Sequence, residues 1–131
     1  MKDVLEKIVA HKRIEVEKQK KRRSINEICQ LLEKKSVEVR SLKSALENSD
    51  SGIIAEFKRR SPSKGWINAC ADVKLIAQCY EVNGAAALSV LSDKRFFGGT
   101  SQDVETATSV THIPVLRKEF IVDEYQVYET K

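Results

Sequence analysis

Three short apolar segments, spaced roughly thirty residues apart, constrain the fold of this chain more than any other feature. They cover residues 53–58, 85–91 and 113–116, and helical patterns over 72–82 and 100–110 separate them. Strands without polar alternation are buried on both faces, which is typical of a parallel sheet covered by helices. The order therefore predicts an α/β fold, either a doubly wound sheet or part of a (β/α)8 barrel.

The loop after the first predicted strand bears on dinucleotide binding. Doubly wound sheets that bind dinucleotides have Gly-x-Gly-x-x-Gly at this point. Residues 59–65 are Arg-Arg-Ser-Pro-Ser-Lys-Gly and lack that pattern. The sequence thus disfavours dinucleotide binding but leaves both architectures open.

Residues 1–50 have a helical pattern instead. Apolar residues at three- and four-residue spacing predict a helix over 3–22, and Ser24-Ile25-Asn26-Glu27 is a capping box that opens a second helix. A third short helix is predicted over 42–46. The apolar positions predicted for the first two helices are Val4, Leu5, Ile8, Val9, Val16, Ile25, Ile28, Leu31 and Leu32.

These patterns divide the chain into two parts. Residues 1–50 are predicted to be a helical extension, and residues 51–131 are predicted to be three βα units. Asp123-Glu124-Tyr125-Gln126 matches a second capping box, which predicts that another helix begins there.

The net charge of +4 lies entirely in the first part. Residues 1–50 contain 13 Lys and Arg against 9 Asp and Glu, whereas residues 51–131 contain 10 of each. The densest basic run, residues 18–23, could contact nucleic acid, but no aromatic residues interleave it. Cations near a helix C-terminus suit the macrodipole. We therefore expect a solvated helix face and no nucleic-acid partner.

Several classes of protein are disfavoured by composition. No run of 18 apolar residues could form a membrane-spanning helix, and charged residues occupy the N-terminus where a signal peptide has its apolar segment. Cys29, Cys70 and Cys79 form no Cys-x-x-Cys pair, and His11 and His112 are far apart. We expect a cytoplasmic protein without a disulfide framework, a metal site or a membrane partner.

Charged residues mark the carboxyl ends of two predicted strands. Because side chains alternate along a strand, Glu56 and Lys58 share one face, as do Leu116 and Lys118. Parallel α/β folds place their active sites at this end of the sheet. We expect the carboxylate and the two ammonium groups to converge, an arrangement suited to proton transfer or anion binding.

The spacing leaves a structural interpretation equally open, in which Glu56 and Lys58 form an ion pair at the barrel mouth and Lys118 is solvated. The neighbouring residues favour function. Ser61 and Ser63 offer hydroxyl groups to a phosphate. An aromatic substrate could stack on side chains just past the strand ends, which otherwise pack the loops: Phe96, Phe97 and Phe120.

Four segments of the chain match motifs of one known family. Residues 53–65 read Ile-Ile-Ala-Glu-Phe-Lys-Arg-Arg-Ser-Pro-Ser-Lys-Gly. They closely resemble the first-strand signature of the indole-3-glycerol phosphate synthase family, and that signature is highly specific. Residues 84–99 resemble its second strand and the following loop. Residues 113–123 resemble its third strand, and residues 4–13 resemble its N-terminal helix.

This resemblance implies a TIM barrel, (β/α)8, of which the chain would hold the N-terminal helical extension and the first three βα units. It implies a carbon–carbon lyase (carboxy-lyase) of tryptophan biosynthesis. The implied substrate is 1-(o-carboxyphenylamino)-1-deoxyribulose 5-phosphate, whose indole ring is closed with release of carbon dioxide and water. The family resemblance implies no metal and no organic cofactor.

The resemblance also implies catalytic roles. Lys118 would be the general acid that protonates the ribulose carbonyl oxygen. Lys58 would bind the anionic groups of the substrate and is a second candidate acid for the dehydration. Glu56 would orient the two lysines. The division of acid roles between the lysines stays open.

Substrate-binding roles follow in the same way. Ser61 would contact the phosphate, and Phe97 and Phe120 would border the anthranilate ring. The family's general base, an asparagine and most of the phosphate site lie on later strands of a barrel of about 250 residues. The resemblance thus implies an N-terminal piece of the enzyme that does not turn over alone.

Exposed strand edges lead us to expect that such a piece self-associates. Two other interpretations remain. One is a non-catalytic half-barrel that binds phosphorylated ligands or assembles with a partner. The other is a basic-helix nucleic-acid binder.

Overall fold

The structure, a computed structural model, describes residues 3–36 and 38–131. Met1 and Lys2, which belong to the charged N-terminal segment discussed above, and Val37 lie outside the described residues. The chain forms two compact units. The helical unit comprises the chain up to Val39 with Phe120–Lys131, and the β/α unit comprises Arg40–Glu119. The predicted division at residue 50 stays a prediction.

The elements in chain order are α1 (Val4–Arg22), α2 (Ile25–Lys34), α3 (Leu42–Glu47), β1 (Ile54–Phe57), β2 (Arg60–Ser61), β3 (Gly65–Trp66), α4 (Val73–Val82), β4 (Ala87–Leu91), α5 (Lys94–Phe97), α6 (Ser101–Val110), β5 (Val115–Lys118) and α7 (Tyr125–Thr130). The predicted helices at the N-terminus and all three main strands are confirmed within a few residues.

Capping explains where the first helices begin. Asp3 precedes α1, and its carboxylate accepts from the Leu5 N–H. The predicted capping box of α2 is present, because Ser24 Oγ accepts from the Glu27 N–H and the Glu27 carboxylate accepts from the Ser24 N–H. Such caps satisfy amide groups that have no partner inside the helix.

The helical unit has its own small core. Val16, Ile28 and Tyr125 are buried together, and the Tyr125 hydroxyl donates to the Arg23 carbonyl at 2.9 Å. Not every apolar position predicted for these helices is buried, since Leu31 is 46% exposed. A charged residue takes an inward position instead: Lys12 is buried and donates to Glu15 at 3.0 Å.

The predicted capping box at residues 123–126 is wrong in its detail. Gln126 Oε1 accepts from the Asp123 N–H at 3.2 Å, as predicted, but it also accepts from the Val122 N–H at 2.7 Å. The Asp123 carboxylate accepts from the Tyr125 N–H rather than from that of Gln126. Helix α7 therefore begins at Tyr125, with Glu124 as its N-cap.

The β/α unit is built on a parallel sheet of order β1-β4-β5. Helices α4 and α6 cover one face of it, and a core forms there from Phe57, Leu88, Val90, Val73, Ala77 and Ala107. Adjacent parallel strands with both crossover helices on one face are the repeat of a (β/α)8 barrel and of half a doubly wound sheet.

Two short elements were not expected. The predicted loop after β1 contains the antiparallel hairpin β2–β3, in which Gly65, at φ 67°, directly follows the turn at residues 62–64. The predicted loop after β4 contains α5, capped by the Asp93 carboxylate, which accepts from the Phe96 N–H. Elements of two and four residues are too short to show a period of 2 or 3.6 in the sequence.

No helix within residues 3–36 and 38–131 has the length and apolar character needed to cross a membrane.

Candidate functional site

Side-chain alternation gives the two faces of the sheet different roles. Phe57, Leu88 and Val90 face the helices. Glu56 lies on the opposite face of β1, where its register partner in β4 is Ser89. Because side chains alternate along a strand, Phe57 packs into the core and its neighbour Glu56 lies on the other face of the sheet.

The same face continues across β4 to β5. Ser89 is in register with Leu116, and Leu91 is in register with Lys118. Lys118 therefore lies two residues further along its strand than the level of Glu56. Its side chain reaches back toward the carboxylate.

Glu56, Lys58 and Lys118 form a contiguous cluster, called the Glu–Lys–Lys cluster below. Glu56 Oε1 is 3.1 Å from Lys58 Nζ, and Glu56 Oε2 is 3.3 Å from Lys118 Nζ. Ser89 Oγ donates to Glu56 Oε2 at 3.4 Å. The structure thus brings together the three charged residues that were expected to converge at the carboxyl ends of the strands.

The electrostatics of the cluster favour anions. Burial acts to raise the pKa of Glu56, but hydrogen bonds from Lys58 and Lys118 and the charges of both lysines outweigh it, so the pKa lies below its ordinary value. Glu56 is therefore ionised at neutral pH. One carboxylate and two ammonium groups leave one positive charge on this face. The Lys118 side chain is 54% exposed and accessible to a ligand.

Ser61 lies at the start of the hairpin turn and is buried. Its Oγ accepts from the Lys64 N–H at 3.2 Å and lies 3.4 Å from Ser63 Oγ. The turn thus places two hydroxyl groups side by side. Contact of Ser61 with a phosphate stays a prediction.

The two phenylalanines predicted to border a substrate ring lie in different units. Phe97 is half-buried in α5, just past the carboxyl end of β4. Phe120 is half-buried in the helical unit, where its carbonyl accepts from Gln126 Nε2 at 2.9 Å. Their contact with an aromatic ring stays a prediction.

An ion pair beside the cluster was missed by sequence reasoning. Arg59, the residue after Lys58, makes two hydrogen bonds to the Asp103 carboxylate, at 2.6 and 2.8 Å. It also donates to the carbonyl oxygens of Ala71 and Gly98. Asp103 also belongs to the capping box of α6, where its carboxylate accepts from the Thr100 N–H.

This pair is largely removed from water. The side chains of Arg59 and Asp103 are 17% and 9% exposed. Burial acts to raise the pKa of Asp103, but hydrogen bonds from Arg59 and Thr100 and the guanidinium charge hold it below its ordinary value. The pair ties the chain after β1 to the beginning of α6.

No three His, Cys, Asp or Glu side chains in the part of the chain that the structure describes are grouped so as to hold a metal ion. The expected absence of a cofactor stays a prediction.

Comparisons with known proteins agree on one family. The family model for indole-3-glycerol phosphate synthase matches residues 5–131. The indole-3-glycerol phosphate synthase of Bacteroides thetaiotaomicron is 50% identical over 131 residues, which cover 100% of this chain and 50% of the relative. That of Prochlorococcus marinus strain MIT 9301 is 42% identical over 131 residues, covering 99% of this chain and 44% of the relative.

A third relative, the indole-3-glycerol phosphate synthase of Endomicrobium trichonymphae, is 44% identical over 130 residues, covering 98% of this chain and 50% of the relative. The chain spans about half the length of the curated relatives it matches.

Proposed function

The chain belongs to the indole-3-glycerol phosphate synthase family, and we propose that it supplies the acid side of that enzyme's active site. Its parallel βα units are accordingly part of a (β/α)8 barrel. The proposed activity is that of a carboxy-lyase in tryptophan biosynthesis, with a phosphorylated substrate. The observation that supports it most is the Glu–Lys–Lys cluster at the carboxyl ends of β1 and β5.

In the proposed first step, the ring carbon that bears the carboxylate attacks the ribulose carbonyl carbon. The carbonyl oxygen takes a proton from the Lys118 ammonium group as the carbon–carbon bond forms. Carbon dioxide then leaves, and the electron pair of the broken bond restores the aromatic ring.

The remaining step is a dehydration. The new hydroxyl group leaves as water with a proton from an ammonium group, for which Lys58 is the second candidate. The carbon next to the nitrogen loses a proton to a base. The family resemblance assigns that base to a later strand, so the proposal for this chain concerns the acid groups only.

The charge of the cluster suits these roles. The substrate contains a carboxylate and a phosphate, and the net positive face attracts both kinds of anion. Ionised Glu56 contacts one lysine through each of its oxygens and so holds both ammonium groups on one face. A general acid must lie within hydrogen-bond reach of the atom that it protonates.

The proposal is tested by substitution in the complete reading frame that contains this chain. Lys118→Ala should lower kcat by about 10²–10⁴-fold, the usual effect of losing a general acid. Lys118→Arg should lower kcat as well, because a guanidinium group stays protonated near neutral pH and so cannot donate its proton. Formation of the indole product is followed by its fluorescence.

Lys74→Ala is the matched control, since Lys74 is an exposed lysine in α4. It should leave kcat unchanged. A Lys118→Ala enzyme that turns over like the wild type would refute the acid role, and a wild type that forms no product would refute the activity itself.

We also propose that the isolated 131-residue chain self-associates. Within the described residues, β1 and β5 are the edges of the sheet, and unpaired edges favour pairing with another chain. Ile54 and Leu116, on the face away from the helices, are 41% and 42% exposed. A second copy could cover both the edges and this apolar surface.

Sedimentation velocity over a range of concentrations tests the association. Leu116→Lys should weaken it by placing a charge on the covered face. Val82→Lys should not, because Val82 is 84% exposed at the end of α4. A monomer at every concentration, with slow amide exchange in all three main strands, would contradict self-association.

We also propose that the protein is located in the cytoplasm. Cys29, Cys70 and Cys79 are free thiols. Thiols persist in reducing compartments, which supports this location.

A further inference from the structure

Ser92 is the first residue after β4 and is buried, with 7% of its surface exposed. We propose that it is the positioning residue for Lys118. The inference rests on the proposed function, because it takes Lys118 as the acid. The Ser92 hydroxyl bonds to Arg117 and Glu119, which flank Lys118 and lie outside the Glu–Lys–Lys cluster.

One serine binds three consecutive residues at the carboxyl end of β5. The Ser92 N–H donates to the Lys118 carbonyl at 3.1 Å. The Ser92 hydroxyl donates to Glu119 Oε2 at 2.8 Å and accepts from Arg117 Nε at 3.3 Å. The backbone on both sides of the lysine is therefore anchored to the end of β4.

The side chains that flank Lys118 are buried, whereas its own is not. Those of Arg117 and Glu119 are 7% and 4% exposed, against 54% for Lys118. Arg117 Nη2 lies 4.0 Å from Glu119 Oε2, beyond hydrogen-bond distance, and the serine hydroxyl bonds to both groups. A buried charge pair is stable only when hydrogen bonds satisfy its polar atoms.

This arrangement places a long, mobile side chain on a fixed backbone. Proton transfer requires the donor and acceptor atoms to come within about 2.6–3.2 Å, and misplacement by about 1 Å can cost roughly 100-fold in rate. Loss of the serine hydroxyl removes the bridge between Arg117 and Glu119. The residues on both sides of Lys118 then lose their bonds to the Ser92 side chain, although the bond from the Ser92 N–H to the Lys118 carbonyl remains. We expect the ammonium group to be less often in reach of the substrate's carbonyl oxygen.

The test compares variants of the complete reading frame. Ser92→Ala should lower kcat by about 10- to 100-fold with little change in KM, because the hydroxyl positions the acid and does not bind substrate. Ser92→Thr keeps the hydroxyl group and should restore most of kcat. Lys118→Ala, measured beside them, reports whether the acid role itself holds.

Thr111→Val is the matched control for loss of a buried hydroxyl. Thr111 is 2% exposed, and its hydroxyl donates to the Ala107 carbonyl at 2.7 Å, at the end of α6. The Thr111→Val variant should have a changed thermal stability and an unchanged kcat. If Ser92→Ala does not fold, Ser92→Cys, which has similar volume and a weak hydrogen-bonding group, takes its place under the same criteria.

A second measurement does not depend on turnover. In the 131-residue chain, hydrogen–deuterium exchange should become faster at position 92 and in residues 117–119 of Ser92→Ala, and it should stay unchanged there in Thr111→Val.

The outcomes separate the two proposals. An active wild type with an inactive Lys118→Ala and a fully active Ser92→Ala would overturn the role of Ser92 and leave the function standing. Equal losses of kcat in Ser92→Ala and Thr111→Val would overturn it as well, since a general loss of stability would then explain both. A wild type without activity would overturn the function, while unchanged exchange in Ser92→Ala would refute the anchoring.

Discussion

Removal of the Asp103 carboxylate should destabilise the β/α unit far more than removal of an exposed charge. Breaking a buried ion pair from one side costs about 3–5 kcal/mol, because the remaining charge stays buried. Arg59 keeps its bonds to Ala71 and Gly98, which favours the lower end of that range. We therefore expect Asp103→Asn to lower the free energy of unfolding by about 3 kcal/mol.

Asp103→Ala should cost more than Asp103→Asn. Asp103 also accepts from the Thr100 N–H at 2.9 Å as part of the α6 capping box, and an amide oxygen can keep that bond whereas alanine cannot. Loss of a helix cap typically costs about 0.5–2 kcal/mol. The two variants thus separate the ion pair from the cap.

Urea unfolding followed by circular dichroism measures both effects, at low concentration because self-association adds stability. With a slope of about 1–3 kcal/mol/M, a loss of about 3 kcal/mol lowers the midpoint by roughly 1–3 M. Glu47→Ala is the control, since the Lys43–Glu47 pair is 84% and 63% exposed and should contribute at most about 1 kcal/mol. Equal losses of unfolding free energy in Asp103→Asn and Glu47→Ala would refute a special contribution of the buried ion pair.

The Arg59–Asp103 ion pair should also make the stability of the β/α unit depend on pH. The pKa of Asp103 is lowered by folding, so its contribution is fully present above the unfolded value of about 3.9 and is lost as the pH falls through the lower folded pKa. The gap in stability between the wild type and Asp103→Asn should therefore be constant near neutral pH and shrink in acid. A gap that grows below pH of about 4 would contradict this sign.

Two further substitutions test the packing of each unit. Gly99→Ala should prevent the loop after β4 from closing, because a Cβ there would overlap the Leu91 carbonyl oxygen, and thermal unfolding should show a large loss of stability. Tyr125→Phe should cost about 1 kcal/mol through loss of the hydrogen bond to the Arg23 carbonyl, and a urea midpoint unchanged from the wild type would contradict it.

Local patterns explain what could be predicted from the sequence. Alternation along β1 and β5 depends only on the extended backbone, so it placed Glu56 with Lys58, and Leu116 with Lys118, on one face of each strand without knowledge of the rest of the fold. Capping residues act within four positions, which is why Ser24 correctly marked the beginning of α2.

The features that were missed depend on distant contacts. Arg59 and Asp103 are 44 residues apart, and nothing in either local sequence indicates the partner. The contacts of Ser92 with residues 117–119 likewise arise only when β4 and β5 pair. At α7, Gln126 Oε1 accepts from the N–H groups of both Val122 and Asp123, a pair of bonds that the regular capping pattern in the sequence does not indicate.

The alternation of Glu56 with Phe57 makes β1 sensitive to changes in length. A deletion of one residue before Glu56 would rotate every later side chain of the strand to the other face. The carboxylate would then enter the apolar layer under α4, and the phenyl ring would take its place beside Lys118. Within this strand, insertions and deletions thus disrupt the apolar core and the Glu–Lys–Lys cluster in a single event, whereas a substitution at one position can alter either of them separately.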